Sequence, residues 1–161
     1  MNKYDLEKYQ LEKAAIDIFI EIYNKNFNKQ LEIVQKQESP DFLLMDSHGN
    51  PIGIEIAHVF YDPLEAKMLL NRSSSLVHGI ETFQIFIEKF NEVLAKKCKV
   101  GESFEVSYPY SLLIRNASPI FTYEDIREST KYIEIPSNRY KDIWILSRNN
   151  LSTWVLMKLD V

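Results

Sequence analysis

Between Tyr4 and Asn28 the apolar side chains return at helical spacing. Tyr9, Ile16, Phe19, Ile20, Tyr23 and Phe27 fall on one stripe, with Lys, Glu and Asp between them. The stripe predicts an amphipathic helix, and the weak helix formers Asn24, Asn26 and Asn28 predict its end. The period then drops to two. Leu31–Val34 alternates as a short strand, Pro40 punctuates, and Asp41–Met45 reads as a second strand. Ser47, His48, Gly49, Asn50 and Pro51 form a turn cluster, so Ile52–Val59 becomes a third strand, antiparallel to the second. Another helical stripe, Ile80, Phe83, Phe86, Ile87, Phe90, Val93 and Leu94, predicts a helix over Ile80–Lys97 with Gly101 near its stop. An earlier helical piece is expected over Pro63–Leu70, opened by Asp62 and Pro63. Strand patterns follow at Phe104–Val106 and Ser111–Arg115, and a short helix begins near Thr122 or Tyr123. Ile143–Ser147 and Thr153–Leu159 flank Arg148, Asn149 and Asn150 as a hairpin.

A long helix between strands is a crossover, so this order predicts an α/β fold: a mixed β-sheet flanked by helices. Composition agrees. The chain has 161 residues, 45% hydrophobic and 26% charged, which suits one globular domain over residues 1–161. Cys98 is the only cysteine, which excludes an internal disulfide and suits a reducing cytoplasm. The flanking Lys96, Lys97 and Lys99 would lower its thiol pKa if they faced it, but a bystander cysteine is the plainer reading. No apolar run reaches the roughly 18 to 20 residues of a membrane span, and the start of the chain lacks a signal-peptide core. The expectation is a cytoplasmic protein that does not enter the membrane. Net charge is −4, and residues 1–60 hold 6 basic against 10 acidic side chains. That denies the chain the global basic footprint of a nucleic-acid binder, while acidity around positions 41 and 55 is what a divalent cation needs.

Alternation along the third strand puts Gly53, Glu55, Ala57 and Val59 on one face and Ile52, Ile54, Ile56 and His58 on the other. The isoleucine face is expected to be core. The other face holds Glu55 between two small residues, with open space expected beside the carboxylate. Asp41 opens the partner strand. A lone buried carboxylate is costly unless paired or neutralised, and two converging carboxylates offer hard oxygen ligands to Mg²⁺ or a similar cation.

Pro40 and Asp41 before one strand, followed after a hairpin by Glu55 within Ile54-Glu55-Ile56-Ala57, resemble the motif of the PD-(D/E)xK nuclease superfamily. The resemblance covers about residues 5–98. It implies a restriction-endonuclease-like core of helix, three-stranded meander, helix and further strand. It also implies Asp41, Glu55 and the Ile56 carbonyl as ligands of Mg²⁺ or Mn²⁺, with Glu38, or Glu21 on the first helix, as the further acid. The implied activity is metal-dependent hydrolysis of nucleic-acid phosphodiester bonds, DNA ahead of RNA, catalysed by Asp41, Glu55 and Glu38. The superfamily's lysine would stand at position 57, where this chain has Ala57. Some relatives carry it on the following helix or use another residue; by chain order Lys67, Lys89 and Arg72 are nearest, with Lys67 and Arg72 as phosphate contacts. Ala57 and the acidic balance also suit a catalytically degenerate domain of this fold, serving as a protein-interaction or assembly module, as a homodimer or with a protein partner.

Other residues carry less. His48, His58 and His78 lack metal-ligand spacing. Ser73, Ser74 and Ser75 lack a nucleophile elbow, and no glycine-rich phosphate loop occurs. Arg115 with Asn116, and Arg139 with Lys141, are expected as solvated strand ends or as the lining of a basic groove. Trp144, Trp154 and the stripe Phe83, Phe86, Phe90 are expected to pack.

Overall fold

The computed structural model describes residues 2–59, 78–118 and 120–159 of the chain, and helical side chains from Phe83 onward where the second helix is concerned. Helix α1 (Lys3–Phe27) starts where the Asn2 side chain accepts the Asp5 N–H, 2.8 Å. It ends at Asn28, whose φ of 52° is the left-handed conformation that Asn tolerates better than most residues. Asn24 then holds the chain's exit, accepting the Leu31 N–H (2.9 Å) and donating to the Leu31 carbonyl (3.2 Å). Strands β1 (Glu32–Lys36), β2 (Phe42–Met45) and β3 (Pro51–Val59) follow as a meander. The β2–β3 turn is closed by Asp46, whose carboxylate accepts the N–H groups of His48 and Asn50, both 2.9 Å.

Helix α2 (His78–Gly101) leads to β4 (Tyr110–Asn116), the short helix α3 (Tyr123–Glu128) and a single 3₁₀ turn (Thr130–Tyr132). The hairpin β5 (Ile143–Arg148) and β6 (Trp154–Leu159) completes the order. The six strands lie in chain order. The β1–β2, β2–β3 and β5–β6 pairs are antiparallel, while β3–β4 and β4–β5 are parallel. The protein is thus an α/β fold with a mixed sheet flanked by helices.

Both faces of the central strands are covered. Against α2, the buried Phe86, Phe90 and Leu94 meet Ala57, Val59, Leu112, Ile114 and Ile145. Against α1, Ile16 and Phe19 meet Phe42, Leu44, Ile54, Ile56, Leu113, Trp144 and Leu146. Each fully buried side chain of this size contributes roughly 1.5–3 kcal/mol. Trp144 sits with Phe19, Tyr23 and Phe27 at ring separations of 5.8–6.1 Å, so it is a packing residue as expected.

Three expectations change. The face of β3 that carries Glu55 has no open space beside it. A Cβ on Gly53 would overlap Pro40 and lie 3.0 Å from Tyr108 and 3.2 Å from Tyr110, and Ala57 is core. Strands that pair in parallel are normally covered on both faces, and the alternating pattern hid this. Phe104–Val106 is not a strand; Phe104 is buried because its ring packs edge-on against Tyr110 and Tyr140 while the backbone runs as a loop. Helix α2 continues past Lys97 to Gly101. The helical piece expected over Pro63–Leu70 lies outside the described residues. Among those residues, no helix is long and apolar enough to cross a membrane.

Candidate active site at the β2–β3 seam

Phe42 pairs with Ile54, which places Asp41, one residue before β2, across from Glu55. Because β2 has not yet begun there, β3 would lack a partner for its next N–H. The Asp41 carboxylate supplies one: its Oδ2 accepts the Ile56 N–H at 2.8 Å. In return the Asp41 N–H donates to Glu55 Oε1 at 3.2 Å. Each acid is thus held by the other's strand, and both are buried, with 7% and 5% of their surface exposed.

Two lysines neutralise them. Lys97, on the last turns of α2, places its Nζ 2.9 Å from Glu55 Oε2. Lys36, at the end of β1, lies 3.7 Å from Asp41 Oδ1 and 3.3 Å from Oε2 of Glu12, a buried acid on α1. Burial and then the charge of Asp41 still push Glu55 up to about pKa 7; Lys97 pulls it down without cancelling them. His58 is lowered to about 4, chiefly by burial and then by the charges of Arg115 and Lys97.

Lys97 is positioned by its helix. The Tyr140 hydroxyl donates to the Lys97 carbonyl at 2.7 Å, and the Tyr110 hydroxyl donates to the Gly101 carbonyl at 2.8 Å. The last four carbonyls of a helix, Gly101 among them, have no intrahelical donor, so the Tyr110 hydroxyl anchors the terminus. The Tyr140 ring packs so closely on Gly101 that a Cβ there would meet it at 2.6–2.9 Å. Burial, with Glu55 next in effect, raises the Tyr140 phenol above the ordinary tyrosine range and keeps it a donor.

The structure therefore brings together Asp41, Glu55 and Ile56. It leaves other candidates apart. Glu38 is exposed, and no hydrogen bond or ion pair among the described residues joins it to either acid. Glu21 is exposed and borders β6; the α1 acid near the seam is Glu12. Lys67 and Arg72 lie outside the described residues, and Lys89 stands about two turns before the lysine that reaches Glu55. Cys98 is buried, and burial raises its thiol pKa despite the neighbouring lysines.

Lys97 and Glu12 escaped the sequence reading, yet each left a signal. Lys97 continues the apolar i, i+3, i+4 stripe of Phe90 and Leu94, and Glu12 continues that of Ile16 and Phe19. A charged residue on a buried stripe requires a partner.

The carboxylate oxygens at the seam are already engaged by the protein's own donors and cations. Asp41 Oδ2 and Glu55 Oε1 are held by backbone N–H groups, leaving Asp41 Oδ1 and Glu55 Oε2 toward the lysines. The Ile56 carbonyl emerges on the same side of β3 as its N–H. These are hard oxygens of the kind Mg²⁺ or Mn²⁺ selects. Among the described residues no group of three or more His, Cys, Asp or Glu could hold an ion. Compared with known proteins, the chain matches no family model, no curated protein and no solved structure.

Proposed function

We propose that the chain is a metal-dependent nuclease of PD-(D/E)xK type, with a restriction-endonuclease-like core, in which Lys97 takes the place of the lysine missing at Ala57. The observation that carries this reading is the 2.9 Å contact of Lys97 with Glu55. It delivers an ammonium to the acidic pair from the helix that follows β3, a placement some relatives of that superfamily use. The order α1-β1-β2-β3-α2-β4 supports the same reading. Phosphodiester hydrolysis adds water across the P–O bond and yields a phosphomonoester and an alcohol. Mg²⁺ or Mn²⁺ held by Asp41, Glu55 and the Ile56 carbonyl would supply Lewis-acid polarisation of the phosphate and a more acidic water. Asp41 and Glu55 are oriented for this by the reciprocal backbone bonds. Lys97 offsets the negative charge that develops on the phosphate oxygens, a role worth about 10²–10³ in rate where a single donor is removed. DNA stands ahead of RNA as the substrate.

The test is cleavage of plasmid and of RNA across Mg²⁺ and Mn²⁺, with Glu55→Gln, Asp41→Ala and Lys97→Met beside the parent chain. Metal-dependent cutting abolished by the acid variants, and slowed by Lys97→Met with Mn²⁺ affinity retained, is the expected result. No cutting under any metal, together with no calorimetric Mn²⁺ binding, rejects it.

One observation favours a second reading. Every buried acid at the seam already has a lysine and, at Asp41 and Glu55, a backbone donor, so the network is satisfied as a structural strut. That suits a degenerate domain acting in assembly, as a homodimer or with a protein partner. In that case the acid variants leave Mn²⁺ affinity unchanged because none is present.

A further inference from the structure

At the other end of the sheet the charge balance is reversed. Arg115, next to last in β4, and Arg148, the last residue of β5, end neighbouring parallel strands and share one aromatic ring. Their guanidinium carbons lie 5.5 and 4.8 Å from the centre of the Trp154 ring. They border a cavity of about 320 Å³ whose other polar walls include Ser118, Thr122, Asn149 and Ser152. Among the described residues no acid lines it. Neither guanidinium has a carboxylate partner among the described residues, and the buried Nε of Arg115 has no hydrogen-bond partner. Burial and the charge of Arg148 both lower the Arg115 pKa, which remains that of a cation.

Two like charges share one indole, Arg115 half-buried and Arg148 exposed, with no counter-charge among the described residues. They also form a paired fork for an oxyanion. The place suits a ligand, since open α/β sheets bind theirs beyond the carboxyl ends of their parallel strands.

We propose that this cavity binds a phosphate group, gripped between Arg115 and Arg148, with the neighbouring hydroxyls and amides completing its shell. The site is separate from the acidic pair. Arg115 alternates with Leu113 onto the α1 face, whereas Glu55 shares its face with Ala57 and Val59 toward α2. It does not depend on the nuclease reading. The phosphate belongs to a small phosphorylated molecule or to a nucleic-acid backbone, and the two sources are separable.

The experiment titrates the full chain, at constant ionic strength, with inorganic phosphate, a 5′-mononucleotide and a short single-stranded oligonucleotide. It follows tryptophan fluorescence and amide chemical shifts. Arg148 is exposed, so Arg148→Gln should leave the fold intact, which circular dichroism checks. Arg139→Gln, remote from the cavity, is the control. The expected result is saturable binding with shifts at Ser118 and Asn149, weakened at least tenfold by Arg148→Gln, partly restored by Arg148→Lys and unaffected by Arg139→Gln. Dependence on Arg148 with all three probes assigns a small phosphorylated ligand; dependence with the oligonucleotide alone assigns a backbone phosphate. Non-saturating responses, or equal affinities for Arg148→Gln and the parent chain with every probe, overturn the proposal. Cleavage governed by Glu55 is read separately, so the two ideas fail independently.

Discussion

The acidic seam and the arginine cavity are two solutions to charge inside one sheet. At the seam three buried acids, Glu12, Asp41 and Glu55, are matched by Lys36 and Lys97 and by backbone donors. At the cavity two cations lie against the Trp154 ring with no acid to answer them among the described residues. A matched network can be justified by stability alone, though burying ion pairs gains little over apolar packing. The unmatched pair gains from its shared indole but has no counter-charge among the described residues, so it points outward to a ligand more directly than the matched seam. The seam's balance is nonetheless incomplete: burial and the charge of Asp41 push Glu55 up to about 7 despite its lysine.

Breaking the seam should have the largest effect. Lys97→Met and Glu55→Gln are each expected to lower metal-dependent cleavage about 100-fold or more, measured as single-turnover rates on plasmid. Lys97→Met should in addition cost about 2 kcal/mol of stability at pH 8, because it leaves the Glu55 carboxylate buried and unpaired. The cost should shrink at pH 5, where Glu55 is protonated. Urea melts at the two pH values decide this; an equal loss at both would deny the pairing.

Gly101→Ala should cost about 1–3 kcal/mol, since its methyl group displaces the Tyr140 ring and with it the hydroxyl on the Lys97 carbonyl. The tyrosine's shift should reach the seam as a change in the Glu55 titration, readable by carboxyl NMR.

Glu55→Gln in chelator-treated protein should be stabilising by about 1–2 kcal/mol at pH 8. Its folded pKa, about 7, exceeds its ordinary value of 4.5, so the folded state holds the proton more tightly. The parent chain therefore loses stability from this group as pH rises from 4.5 to 7. His58, lowered to about 4, acts oppositely: its contribution is present above pH 6.5 and lost as pH falls toward 4. Between pH 4.5 and 6.5 the two slopes offset each other. Removing Glu55 should leave the histidine slope exposed, with stability rising with pH; a parent-like profile in Glu55→Gln rejects the assignment.

The smallest effect is expected at the other end. Arg148→Gln should change stability by less than about 0.5 kcal/mol, as for an ordinary surface substitution, with the denaturation midpoint as the readout. A loss as large as that of Lys97→Met would mean that the arginines are a structural pair after all.

The β2–β3 hairpin, and the meeting of Asp41 with Glu55, were legible because both are local. A turn rich in Asp, Gly, Asn and Pro sets the register, and strict alternation does the rest. Lys97 was not legible as Glu55's partner. It lies 42 residues on, and only the docking angle of α2 decides which turn of the helix meets the seam. Glu12 was not singled out in the first helix, and only the packing of α1 beside Lys36 buries it. Phe104–Val106 misled for a related reason: Phe104 and Val106 alternate with Glu105 as a strand would, and a loop over Tyr110 and Tyr140 buries Phe104 without a ladder.

The succession of helices and strands and the two acids of the hairpin follow from the amino-acid order, because propensity, periodicity and turn chemistry act over a few residues. The covering of both sheet faces, the parallel pairing of β3, β4 and β5, the arrival of Lys97 at Glu55 and the convergence of Arg115 and Arg148 on Trp154 were settled only in three dimensions. Apart from Arg148 on Trp154, its partner within one hairpin, those contacts join residues far apart in the chain, and which of them form depends on how whole elements pack, which no local pattern specifies.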